Sequence, residues 1–105
     1  MTYYGVAMDF RFDDDDLEKL YTDPGYNHGL PAAVVAAFYR RMVTIRAAPD
    51  ERDFYNLKSL HFEKLKGARQ HQHSMKLNDQ WRLVVELQGK GPDKVLVIIS
   101  IEDYH

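Results

Sequence analysis

The chain has 105 residues, no cysteine and a formal net charge of −2. That length supports one hydrophobic core and excludes two. The missing cysteines exclude disulfides, thiolate metal sites and cysteine nucleophiles, and no apolar run approaches the roughly 20 residues that span a bilayer.

The amino terminus, Met1-Thr2-Tyr3-Tyr4-Gly5, lacks the basic, apolar and small-residue blocks of a secretory signal, so a cytoplasmic location is expected. Residues 7–12 start a strand. Asp13-Asp14-Asp15-Asp16 then supplies an N-cap and first-turn anions for a short helix carrying Leu17, Leu20 and Tyr21, which Pro24-Gly25 stops. Four successive aspartates also raise the question of a divalent cation, but the glutamate, glycine and asparagine offsets of a calcium loop are absent, and the cap is the reading adopted. Pro31 fits the first turn of a second helix, in which Val34, Phe38, Met42 and Ile45 form one apolar stripe with Arg40, Arg41 and Arg46 mostly off it. Pro49 ends that helix near Ala48. The arginines are either solvated charges or a partner-facing edge.

Residues 51–60 read as a short helical or irregular connector with Phe54 and Leu57 turned inward. The apolar period then changes to two. His73, Met75 and Leu77 alternate with polar residues, Asn78-Asp79-Gln80 makes a tight turn, and Trp81, Leu83, Val85 and Leu87 continue the alternation, which predicts a hairpin. After a Gly89-Lys90-Gly91-Pro92-Asp93 turn, residues 95–101 are apolar on both parities, as in a central strand covered on both faces. Helices followed by a meander of strands predict a single α+β domain, its N-terminal helices packed on a small antiparallel sheet.

The chemistry concentrates in the last third. Between residues 57 and 82 stand Lys58, Lys64, Lys66, Arg69, Lys76 and Arg82 against Glu63 and Asp79, with His61, His71 and His73 added. Such cations suit anions, and arginine presents a planar fork of donors to phosphate. With Trp81 and Tyr104 nearby, the composition is that needed to stack unpaired bases and hold an RNA backbone. The histidines lack a third ligand at a usual offset, so no metal site is assigned; His73 and His105 instead suit proton transfer near neutral pH. An unbroken terminal strand would put Asp103 and His105 on one face with Ile99 and Ile101, and Tyr104 on the other. A glycine-rich phosphate loop, a Gly-x-Ser-x-Gly elbow and a paired-carboxylate glycosidase site are all absent.

The ordered set Leu65-Lys66-Gly67, Arg69, Gln72-His73-Ser74, Asn78-Asp79-Gln80-Trp81-Arg82-Leu83 and terminal Asp103-Tyr104-His105 resembles the HigB/GraT-like branch of the RelE/ParE toxin superfamily, over residues 57–105. The resemblance implies a type II toxin of RelE-like fold, encoded beside a helix-turn-helix, HigA-like antitoxin. Operator DNA would be met only through that antitoxin. It also implies a ribosome-dependent mRNA endoribonuclease (an mRNA interferase) that inhibits translation, directing the RNA 2′-hydroxyl at the adjacent phosphate without metal or other cofactor.

Carried over by position, Asp103, Tyr104 and His105 match the catalytic C-terminal segment, and Arg69, His73 and Arg82 match the basic cleft. The implied roles are proton transfer for His105, base stacking or a hydrogen bond for Tyr104, orientation of a neighbour for Asp103, and phosphate stabilisation for Arg69 and Arg82. Lys64, Lys66, Lys76, His61 and Trp81 would contact RNA. Where some HigB toxins carry a catalytic histidine two residues before the Leu-Lys-Gly leucine, this chain has Glu63, with His61 as the nearest imidazole. Two alternatives accompany this reading: a non-catalytic, ParE-type inhibitor of DNA gyrase, and a toxin fold kept as a partner-binding or co-repressor module.

Overall fold

A computed structural model describes residues 3–4 and 8–104. Five strands, β1 (Asp9–Phe12), β2 (Glu63–Lys64), β3 (Gln72–Lys76), β4 (Trp81–Gln88) and β5 (Val95–Asp103), form one sheet in the order β1-β5-β4-β3-β2. Helices α1 (Asp15–Thr22), α2 (Ala32–Ala47) and α3 (Arg52–Asn56) contribute to the core on one side of it.

The local signals act as their chemistry requires. Asp14 caps α1, its Oδ1 accepting the amides of Asp16 and Leu17 at 2.8 and 3.3 Å, so the acidic run satisfies orphan donors and meets the positive end of the helix dipole. Pro31 is the residue before α2 rather than within it, and Ala48 closes the helix. The stripe of Val34, Phe38, Met42 and Ile45 is fully buried, together with Phe10, Leu83, Val85, Leu96 and Ile98 from the sheet. Of the arginines off that stripe, Arg41 donates from Nε to the Lys76 carbonyl at 2.7 Å, tying α2 to the end of β3, whereas Arg40 and Arg46 are exposed. Among the described residues no helix is long and apolar enough to cross a membrane.

Three differences from expectation have physical causes. Strand β1 pairs with β5 in parallel, so the sheet is antiparallel except at that edge; the two strands lie at opposite ends of the chain, and the whole helical layer serves as their crossover. Leu57 is 46% exposed because the chain leaves α3 there, and Leu60 takes the inward position as the last residue of a 3-10 turn. Strand β5 lies between β1 and β4, and it is not regular: Val84 pairs with Ser100 but Val85 with Ile98, leaving Ile99 as an extra residue. The tight turns match their residues. Asn78 Oδ1 accepts the amides of Gln80 and Trp81, and Gly89 adopts φ +80° where a Cβ would stand 2.5 Å from the Asp93 carbonyl oxygen.

Phe38 is fully buried and Leu57 half exposed, so their truncations should separate cleanly. Phe38→Ala should lower unfolding free energy by about 3–5 kcal/mol, and Leu57→Ala by less than about 1 kcal/mol, as read from urea denaturation midpoints. Equal losses would contradict the placement of the core.

Candidate functional site

The helices occupy one face of the sheet, and the site lies on the other. There a pocket of about 340 Å³ is lined by Glu63, Lys64, Leu65, Lys66, Arg69, Ser74, Arg82 and Tyr104. Four separate elements supply it. Glu63 and Lys64 are β2, Arg69 ends a 3-10 turn that Gly67 opens at φ +68°, Ser74 is mid-β3, and Arg82 is the second residue of β4. Tyr104 follows β5, held by its amide donating to the Gln80 carbonyl at 2.7 Å, and is 41% exposed.

Register explains the grouping. Glu63 stands opposite Ser74, Ser74 opposite Val84, and Arg82 opposite both Lys76 and Glu102; residues directly opposed across antiparallel strands share a face. The Arg82 guanidinium lies 5.1 Å from the Tyr104 ring centroid, a cation–π approach. Its Nη2 is 3.5 Å from Glu102, and its buried Nε has no hydrogen-bond partner among the described residues. Arg69 is more fully engaged, donating from Nη1 and Nη2 to the two Glu102 oxygens at 2.9 and 2.6 Å and from Nε to Gln72 at 3.1 Å. The Ser100 hydroxyl donates to the same carboxylate at 2.6 Å. These donors, Arg69 foremost, hold the Glu102 carboxyl down to about 2, against the opposing effect of partial burial.

The sequence-derived residues divide into groups. Lys66, Arg69, Arg82 and Tyr104 meet in the pocket; Lys64 touches its lining, but stands opposite His73 in the β2–β3 register, the helix-side position, and its charge acts on that imidazole. Lys76 shares the face but is paired with Asp79 at 3.0 Å. His61 is exposed at the end of a 3-10 turn, in a left-handed conformation (φ 47°), outside the pocket lining. Trp81 packs against the core and stands opposite Asp103, whose carboxylate accepts from Gln80 Nε2 at 3.0 Å. His105 lies outside the described residues.

His73 is not brought to this pocket. It stands opposite Val85, on the helix side, with its ring stacked on Phe62 at 4.7 Å and 8° and its Nε2 sharing a hydrogen bond with the Tyr55 hydroxyl at 3.1 Å. Burial foremost, and then Lys64, push its imidazole below the ordinary value. Glu102, Ser74 and Ser100 are the residues that the motifs did not single out for a role. Ser74 is the sole buried polar side chain among the described residues, and a serine amid Met75 and Leu77 was the available signal.

A family model for the RelE-like toxin of the type II toxin-antitoxin system HigB matches residues 10–105. The chain belongs to this HigB-like toxin family. Its fold is shared with a solved structure described as YoeB/ParE toxin from Agrobacterium tumefaciens, at 17% identity and a TM-score of 0.53, covering 91% of this chain and 98% of that one. No curated protein sequence matches the chain. Membership of a type II toxin family implies a cognate antitoxin as partner.

His73 also gives this toxin a pH dependence of stability. Its folded pKa is depressed, so the neutral ring is favoured in the native state, and the stability linked to it is complete above the ordinary value of 6.5 and lost as pH falls below that value. Urea midpoints measured at about pH 7.5 and about pH 5.5 should therefore differ less in His73→Phe than in the wild type. An unchanged difference would contradict the burial of this imidazole.

Proposed function

We propose that this HigB-like toxin is a metal-independent endoribonuclease that cuts mRNA on the ribosome, and that a helix-turn-helix, HigA-like antitoxin neutralises it in the cytoplasm. The observation that carries the reading is the open-face pocket, where Lys66, Arg69 and Arg82 border a space together with the Tyr104 ring. Cations placed around a position of developing negative charge stabilise a phosphorane-like transition state, and an exposed aromatic edge offers a surface for an unstacked base.

In the proposed reaction the 2′-hydroxyl loses its proton to a base, its oxygen forms a bond to the adjacent phosphorus, and the P–O5′ bond breaks as an acid protonates O5′. The products are a 2′,3′-cyclic phosphate and a 5′-hydroxyl. Glu102, bonded to the pocket's Arg69, is held near 2 and is too weak a base. Glu63 lines the pocket with no ion-pair or hydrogen-bond partner for its carboxylate among the described residues, and is assigned to accept the 2′-hydroxyl proton. His105, directly after Tyr104, is assigned to protonate the leaving oxygen. His73, packed on the opposite face, supports the fold instead.

Ribosome dependence accords with the same geometry. A pocket of about 340 Å³ is near the lower limit for a small-ligand site, and a chain of net charge −2 has little general attraction for RNA. The substrate strand therefore has to be held by something else. The ribosome, which presents mRNA extended, supplies that positioning.

Primer extension on a defined mRNA, with and without ribosomes, tests the proposal. The wild type should cut within translated codons only when ribosomes are present, and His105→Ala and Glu63→Gln should each lose about 10²–10⁴-fold in rate. Undiminished cleavage by His105→Ala would remove that residue from the reaction. Absence of cleavage by folded, growth-arresting protein would favour the gyrase-directed alternative.

A further inference from the structure

The pocket's two arginines already have an anion. Guanidinium binds carboxylate and phosphate through the same pair of parallel N–H bonds, and Glu102 takes both from Arg69 while also receiving the Ser100 hydroxyl and lying 3.5 Å from Arg82. Lys66, on the same pocket, has no ion-pair partner among the described residues.

We propose that Glu102 is a resident anion in the phosphate subsite: its carboxylate occupies the Arg69–Arg82 pair in the free protein, and an RNA phosphodiester binds by displacing it. The proposal rests on the nuclease reading for the identity of the incoming anion. The exchange needs no backbone movement, since Glu102 stays paired with Arg82 in the β-ladder and only its partly exposed side chain must rotate away. Arg69 is likewise partly exposed, on a short 3-10 turn at the pocket edge.

RNA gains in this exchange through contacts that Glu102 does not make. A strand seated on Arg69 also reaches Lys66 and the Tyr104 ring, whereas a lone phosphate only replaces one anion by another. The carboxylate thus keeps the arginines ordered and makes the pocket unresponsive to small anions. Arg82, with its Nε unpartnered and its long approach to Glu102, retains donors for the incoming group.

The test uses a short RNA, 2′-O-methylated throughout so that it cannot be cut, and fluorescence anisotropy with wild type, Glu102→Gln, Arg69→Ala and Arg82→Ala. Circular dichroism establishes that each variant is folded. Glu102→Gln should bind about tenfold more tightly than the wild type, and both arginine variants more weakly. Weakening in the arginine variants without tightening in Glu102→Gln overturns the resident-anion proposal alone, whereas wild-type affinity in both arginine variants overturns the RNA reading of the pocket. Should Glu102→Gln not fold, the side-chain carboxyl ¹³C resonance of Glu102 in the wild type gives the same answer: it shifts on RNA addition if the carboxylate leaves the arginines, and an unmoved resonance at saturation overturns the proposal.

Discussion

A single extra residue in β5 decides what faces the site. Leu96 and Ile98 point into the core, and a regular strand would send Ser100, Glu102 and Tyr104 after them. Because Val85 pairs with Ile98 while Val84 pairs with Ser100, Ile99 is bulged out, and every side chain beyond it changes face. Ile101 therefore rejoins the core beside Leu83, and Ser100 and Glu102 turn to the open face beside Val84 and Arg82. Without that bulge Glu102 would face the core, away from Arg69. The arginine pair, the carboxylate between its members and the pocket that they border all follow from it.

The helical half was legible because its signals are local. An aspartate run beginning a helix, a proline before the next, and an apolar stripe at helical spacing each act within a few residues, and Asp14, Pro31 and Phe38 sit close to where those rules put them. The hairpin from β3 to β4 was equally plain, its register set by the Asn78 turn and its alternation by Met75, Leu77, Leu83 and Val85. The parallel β1–β5 pairing depends on the ends of the chain meeting, and nothing near Phe10 or Ile98 announces it. Leu57 failed for a related reason: an apolar residue after a short helix can be turned inward or left outside according to where the chain next goes.

The site was legible in composition and only partly in arrangement. Lys64, Lys66, Arg69, Arg82 and Tyr104 were grouped from charge and motif, and all but Lys64, which β2 sets opposite His73, belong to the open face of the pocket. His73 was not separable from them by sequence, since a histidine at the start of an alternating strand has either face open to it; its neighbours Met75 and Leu77 place it with the core, stacked on Phe62. Trp81 follows the same parity. Glu102 was hidden by the bulge, because period-two counting through Ile99 assigns it to the wrong face.

The central claim is that the open face of the sheet, and not the His73 face or the exposed side of α2, receives RNA. Backbone and arginine side-chain NMR resonances, followed while a dinucleotide lacking the attacking 2′-hydroxyl is titrated in, test this most directly. The account predicts that the resonances of Ser74, Arg82, Glu102 and Tyr104 and the Arg69 guanidinium move together, while those of Tyr55 and His73 stay. Movement centred on Tyr55 and His73, or on Arg40 and Val43 of α2, with the pocket resonances unmoved, would contradict it.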